Sequence, residues 1–198
     1  MLRIFRSEHP DLITSRFLGL VIAAAYAVRI LLMPFTAQND LVLTAWKSHF
    51  VNQGYWNIYA RAAEVQEERQ IVTEHPPAAY PYGFYLFNAA WLESLRTTNL
   101  ISLDAWHSAW SITNRALWFL LLKLPLLTAD LAIGFILLKS AQPGRGLFSW
   151  AVWACSLSGA YVLMMGQNDL YPALFATLAA ALATRAMNQR EDRRAGAM

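Results

Sequence analysis

The sequence predicts an all-α integral membrane protein, and three observations carry that prediction. Of its 198 residues, 57% are hydrophobic and 15% charged, whereas an ordinary soluble domain carries roughly 25% charge. Four apolar runs, at 17–36, 116–139, 147–165 and 170–186, approach or reach the ~20 residues that a helix needs to cross about 30 Å of hydrocarbon. Eight tryptophans and eight tyrosines suit a chain with much surface at membrane interfaces, where such rings collect. The one cysteine, Cys155, lies inside an apolar run and excludes an intrachain disulfide. The chain reads as a single membrane domain, 1–198, with no internal repeat. Nothing in its net charge of +3 points to a nucleic-acid partner.

Taken in order, the chain opens on a short polar arm with Arg3, Arg6 and Arg16 against Glu8 and Asp11. The first run is apolar except for Arg29, and Pro34 and Thr36 close it. It is too long for a signal-peptide core and no small-residue cleavage site follows. Residues 37–115 form a large outer loop with helices lying at the membrane surface. Within it, Asp40–Gln53 reads as an amphipathic helix, with Leu43, Trp46 and Phe50 on one face and Lys47 on another. Asn39 or Asp40 can cap its start and Gly54 can end it. Glu64–Gln70 is a charged, exposed stretch. His75-Pro76-Pro77 and Tyr80-Pro81 are extended or turning, because proline restricts the residue before it.

Pro81–Leu95 predicts an aromatic-rich helix with Phe84, Phe87, Trp91 and Leu95 on one stripe, shorter than the ~17 residues of a minimal span. Asp104–Asn114 is again amphipathic. The 116–139 span is interrupted by Lys123, Pro125 and Asp130, and Pro143-Gly144 turns the chain after it. Gly166-Gln167-Asn168-Asp169 is a polar knot between the last two spans, and the tail carries Arg185, Arg190, Arg193 and Arg194. Basic residues concentrate on the cytoplasmic side. Four spans then put the N-terminal arm, the Lys139–Arg145 turn and the tail in the cytoplasm. Residues 37–115 and the Gly166–Asp169 turn fall on the opposite side.

Each chemistry-bearing residue has a plain structural reading beside a functional one. Asp40, at the mouth of a membrane-walled pocket, could accept a proton from a hydroxyl; as plainly, it could cap the helix that follows. Gln167, Asn168 and Asp169 could bind sugar hydroxyls or a phosphate, or simply make a tight turn. Asp130 within a span costs roughly 2.5–3.5 kcal/mol on insertion scales and needs a partner. Lys123, two turns away on the same face, and Arg29 are the candidates. An Arg29–Asp130 pair would lock the first two spans together; Arg29 could instead reach the outer interface. Tyr55, Trp56, Tyr59, Tyr80, Tyr82 and Tyr85 could stack on sugar rings or anchor at the interface. His49, His75 and His107 lack metal-ligand spacing. No phosphate-cradling glycine loop, nucleophile elbow or zinc motif is present, and no inverted repeat suggests a transporter.

The order of these features resembles the GT-C superfamily of membrane glycosyltransferases, nearest to its polyprenol-phosphate-sugar-dependent mannosyltransferases. The motifs are Asn39-Asp40 after the first span, then Trp46, Gly54 and Tyr55, then Tyr80-Pro81-Tyr82. Leu122-Lys123-Leu124-Pro125 with Asp130 follows, and Gly166-Gln167-Asn168-Asp169 comes last. The likeness covers roughly residues 17–186.

It implies transfer of a hexose, mannose-like, from a polyprenyl-phosphate donor to an acceptor hydroxyl on the non-cytoplasmic face of a bacterial inner membrane. Asp40 would be the catalytic base. Asn39, Tyr80, Tyr82, Lys123, Asp130, Gln167, Asn168 and Asp169 would be the substrate-binding set. No cofactor is implied, and a divalent metal is not indicated. Many relatives carry Asp-x-Asp where this chain has Gln38-Asn39-Asp40, so one carboxylate is missing. Relatives are also usually longer, so the likeness is to their amino-terminal portion: a truncated product, one half of a split enzyme whose remaining spans a second membrane subunit would supply, or a remnant reused as a membrane subunit. The competing expectation is a non-catalytic membrane scaffold or accessory subunit that keeps the fold.

Overall fold

A computed structural model describes residues 12–36, 39–68, 82–100, 115–142, 144–167 and 169–195. Among them there is no strand, and the regular structure is helical: α1 (Leu12–Leu32, running into a 3-10 turn at Met33–Phe35), α2 (Asn39–Asn52), α3 (Ile58–Glu68), α4 (Tyr82–Thr97), α5 (Arg115–Ser140), α6 (Gly146–Ala154), α7 (Leu157–Met165) and α8 (Leu170–Ala195). Three stretches are long and apolar enough to cross a membrane: Thr14–Phe35, Arg115–Ser140 and Leu170–Gln189. The α6–α7 pair makes a fourth if the two count as one bent span. The chain divides into two compact units, Met1–Thr36 with Lys123–Met198, and Ala37–Leu122.

In the first unit, α1 ends where Pro34, which has no N–H to continue the ladder, enters the 3-10 turn and Thr36 turns extended. Ile22 and Tyr26 of α1 pack with Ala151 and Ala154 of α6, walled by Leu18, Leu127 and Trp150. Gly134 of α5 lets Trp150 lie directly on the helix backbone, because a Cβ there would overlap the indole. Gly134→Ala is therefore expected to cost about 1–3 kcal/mol by overpacking, read as a lower thermal unfolding midpoint. A midpoint equal to the native one would mean that Trp150 has room to move.

The expected single span 147–165 is in fact two helices bent by 54°. The cause is local. Ser156 is extended, and its hydroxyl accepts a hydrogen bond from Gly159 N at 3.2 Å, capping a fresh helix start. A serine competes for nearby N–H groups in this way even within an apolar run. At its other end α7 stops at Gly166, whose φ of 74° is the left-handed cap that glycine adopts without steric cost.

In the second unit, Phe50 of α2, Ile58, Ala62 and Val65 of α3 and Tyr85 of α4 form the core, with Trp46, Tyr59 and Tyr82 packed on it. Gly54, at φ 87°, ends α2 as its position suggests. Asn52 Nδ2 donates to Ala89 O of α4 at 3.0 Å. Glu64, Glu67 and Glu68 are exposed as expected, and they end a helix, α3, whose Ile58, Ala62 and Val65 recur at helical spacing and face the core. In α2 the face that carries Lys47 is buried as well, with Thr44 and Ser48. Ser48 satisfies its hydroxyl on Thr44 O at 2.7 Å, which lets a polar residue sit inside.

Pro125 cannot donate to Leu121 O, so a carbonyl inside α5 is left open. Trp91 Nε1 of α4 fills that vacancy at 3.0 Å. The expected 104–114 helix lies outside the described residues.

Candidate functional site

Two buried cations organise the first unit. Arg29 faces inward from α1 and pairs with Asp130 of α5, and both are buried. Of the two readings of Arg29, the internal ion pair with Asp130 is the one observed, and the reach to the interface is not. Asp130 is held on its second oxygen by Trp153 Nε1 at 2.8 Å. The guanidinium lies 5.2 Å from the centroid of the Tyr26 ring. It also donates through Nη2 to Trp153 O at 3.2 Å and Ala154 O at 2.7 Å. Those carbonyls belong to the last turn of α6, where intrahelical donors run out; Trp153 O also accepts from Ser156 N at 3.0 Å. One side chain therefore neutralises the acid in α5 and supplies a donor to Ala154 O at the α6–α7 bend.

Lys123 is not the partner of Asp130 that the shared face suggests. Its ammonium, also fully buried, donates to Met33 O at 2.8 Å, to the carbonyls of Thr36 and Met164, and to Thr36 Oγ1 at 3.2 Å. Thr36 Oγ1 in turn donates to Met164 O at 2.6 Å. A compact cation suits this place, because the C-terminal ends of α1 and α7 both present carbonyls with partial negative charge. The consequence is geometric: the chain leaving α1 and the Gly166 turn leaving α7 emerge at one end of this unit.

The remaining candidates are placed as follows. Asp169 is exposed at the start of α8, and its carbonyl accepts from Ala173 N at 3.1 Å, the position of a helix N-cap. Gln167 is half-buried beside it. Asn39 and Asp40 are the first residues of α2, and the described side chains of that helix begin after them. Tyr82 opens α4 and packs on the core of the second unit; its hydroxyl is buried and meets no partner among the described residues. Tyr80, Asn168, His75 and His107 lie outside the described residues. His49 accepts at Nε2 from Gln53 Nε2 at 3.0 Å.

Among the described residues no group of three His, Cys, Asp or Glu side chains could hold a metal ion. An open groove of about 430 Å³ runs beside the bend, lined by Leu137, Phe148, Val152 and Trp153 with Ser149, Ser156 and Ser158. Ser149 is already bonded to Arg145 O and Ser156 to Gly159 N.

Sequence reasoning found Arg29, Lys123 and Asp130 but missed Thr36, Met164 and Trp153. The first two contribute backbone carbonyls, which leave no trace in residue type, and only the Thr36 hydroxyl could have been read from the sequence. Trp153 had one usable signal: an acid inside a span needs more than one donor. No protein family, characterised protein or solved structure matches this chain.

Proposed function

We propose that the chain is a multi-pass membrane protein whose first unit crosses the bilayer with α1, α5, the bent α6–α7 pair and α8, with both termini cytoplasmic. Phe17, Leu20, Leu31, Phe35, Phe175 and Leu182 are large, apolar and exposed, a surface that lipid tails cover without cost. On this frame we read a glycosyltransferase module that moves a mannose-like hexose from a polyprenyl phosphate to an acceptor hydroxyl at the non-cytoplasmic face. Asp40 is the base, and Asp169 with Gln167 and Asn168 binds substrate.

The observation that supports the reading is the Lys123 knot within the first unit. The Lys123-Leu124-Pro125 motif of the resemblance is bound through its lysine to the end of α7, at Met164 O, two residues before Gly166-Gln167-Asn168-Asp169 begins, and to the end of α1 at Met33 O and Thr36 O.

The test uses native membranes. Deleting the chain should remove transfer of labelled sugar from a polyprenyl-phosphate donor, and restoring it should return the activity. Equal transfer in membranes with and without the chain would end the reading. The scaffold alternative is favoured by one observation: Asp130 and Lys123 spend their polar atoms on internal partners, as a purely structural frame requires. It predicts that deletion leaves transfer intact and depletes another membrane protein instead.

A further inference from the structure

The turn between α5 and α6 carries charge of one sign. From Asp130 to Asp169 the intervening chain has Lys139 and Arg145 and no acid. Both side chains are exposed, and neither meets an acid among the described residues. Lys139 Nζ lies 5.5 Å from the Phe135 ring centroid, a contact that keeps its charge at the end of α5. Arg145 stands one helical turn before Ser149 and two before Val152, on the stripe of α6 that lines the groove beside the bend.

That groove lies wholly within the first unit, with Leu137 of α5 on one wall and Phe148, Val152 and Trp153 of α6 on the other. Ser149 and Ser156 turn their hydroxyls to the backbone, so the surface they leave is mostly carbon. Close approaches at two glycines hold the walls together. Trp150 lies on Gly134, and a Cβ at Gly146 would overlap Leu138 O, so α6 starts seated on the end of α5. From the turn to the bend α6 runs nine residues, about 13 Å of helix and close to half of the ~30 Å hydrocarbon thickness. The groove holds about 430 Å³. A partner helix of that length, about 10–12 Å across, needs on the order of 1,000 Å³. A single slender chain does not.

We infer that the groove seats one acyl chain of an anionic phospholipid from the cytoplasmic leaflet, with its phosphate at the Arg145 guanidinium and Lys139 adding to the attraction. The guanidinium offers paired N–H groups to phosphate oxygens. Each basic residue at a membrane surface favours an anionic headgroup by roughly fivefold. The inference rests on the membrane topology proposed above, which puts the α5–α6 turn in the cytoplasm, and is independent of glycosyl transfer.

The experiment takes the full chain from membranes into mild detergent. It is incubated with equal amounts of phosphatidylglycerol and phosphatidylcholine bearing the same acyl chains, and bound lipid is weighed by native mass spectrometry. One phosphatidylglycerol per chain is expected, retained at least about fivefold over phosphatidylcholine, and Arg145→Gln should lower that preference about fivefold. Val152→Trp, at an exposed position, should fill the groove and release both lipids. Glycerol phosphate, which has the headgroup charge and no chain, should displace neither.

Equal retention of the two lipids by the parent, or an unchanged preference in Arg145→Gln, would overturn the inference. So would a lipid still held by Val152→Trp, a lipid displaced by glycerol phosphate, or a lipid-free dimer in which a second copy fills the groove. The parent's own preference needs no variant, so a substitution that fails to fold leaves the inference open to refutation. A chain recovered from the soluble fraction of lysed cells overturns the membrane reading along with it. A membrane-bound chain that holds both lipids equally overturns this inference alone.

Discussion

Asp130→Ala is expected to destabilise the protein by about 3–5 kcal/mol, the range for breaking a buried ion pair by removing one partner. The size follows from what is left behind. Arg29 would remain buried with its positive charge answered by the Trp153 and Ala154 carbonyls and the Tyr26 ring but by no anion, and Trp153 Nε1 would lose its acceptor. An unmet buried donor costs about 1–3 kcal/mol in addition to any lost attraction. Arg29→Met should cost a similar amount, because it strands the Asp130 carboxylate and reopens the Ala154 acceptor at the end of α6.

Arg29→Met combined with Asp130→Leu should recover much of the loss, since a buried pair replaced by apolar residues of similar size is often neutral. The recovery should be incomplete, because the Ala154 carbonyl would lose its Arg29 donor, whereas Trp153 O keeps Ser156 N at 3.0 Å. Thermal unfolding of the purified protein in detergent, run as a double-mutant cycle, gives all four values. Asp130→Ala melting with the native protein would show that the carboxylate is not needed where it lies.

That cycle also marks where the sequence stops being informative. The apolar runs were legible because a helix long and apolar enough to cross a membrane has a length and a composition, and α1, α5 and α8 fall on them, α8 continuing nine residues further, to Ala195. The need for a partner at Asp130 was equally legible, as a charge inside a span cannot stand alone. Which partner was not: Lys123 shares its face at helical spacing, and no periodicity tells one helix which neighbour it meets.

The bend at Ser156 was hidden for a different reason. No proline marks it, the nearest glycine, Gly159, comes three residues later, and the serine acts through its own backbone neighbours. The carbonyls that receive Lys123 belong to a methionine, a threonine and another methionine, whose identity says nothing about their main chain. By contrast α3 was within reach, since Ile58, Ala62 and Val65 keep helical spacing beneath a charged surface that drew the attention instead.

Asp40→Asn is expected to lower transfer by about 10²–10⁴-fold, the usual worth of a positioned general base. The substitution is chosen because it separates the two roles that position in the chain allows. Asp40 is the second residue of α2, in its first turn, where asparagine keeps a short polar side chain and gives up only the few tenths to about 1 kcal/mol that a charge gains from the helix dipole. If the carboxylate only caps, Asp40→Asn should leave both stability and transfer near native. If it removes a proton from the acceptor hydroxyl, stability should hold while kcat collapses, because an amide has no basic lone pair at neutral pH. Asp40→Ala should lose activity and cap together, lowering the unfolding midpoint as well. Asp169→Asn should behave differently again, raising KM more than it lowers kcat, because a residue that binds substrate acts in the ground state as well as at the barrier. Equal turnover by the parent and Asp40→Asn would remove Asp40 from the chemistry and leave it as the start of a helix.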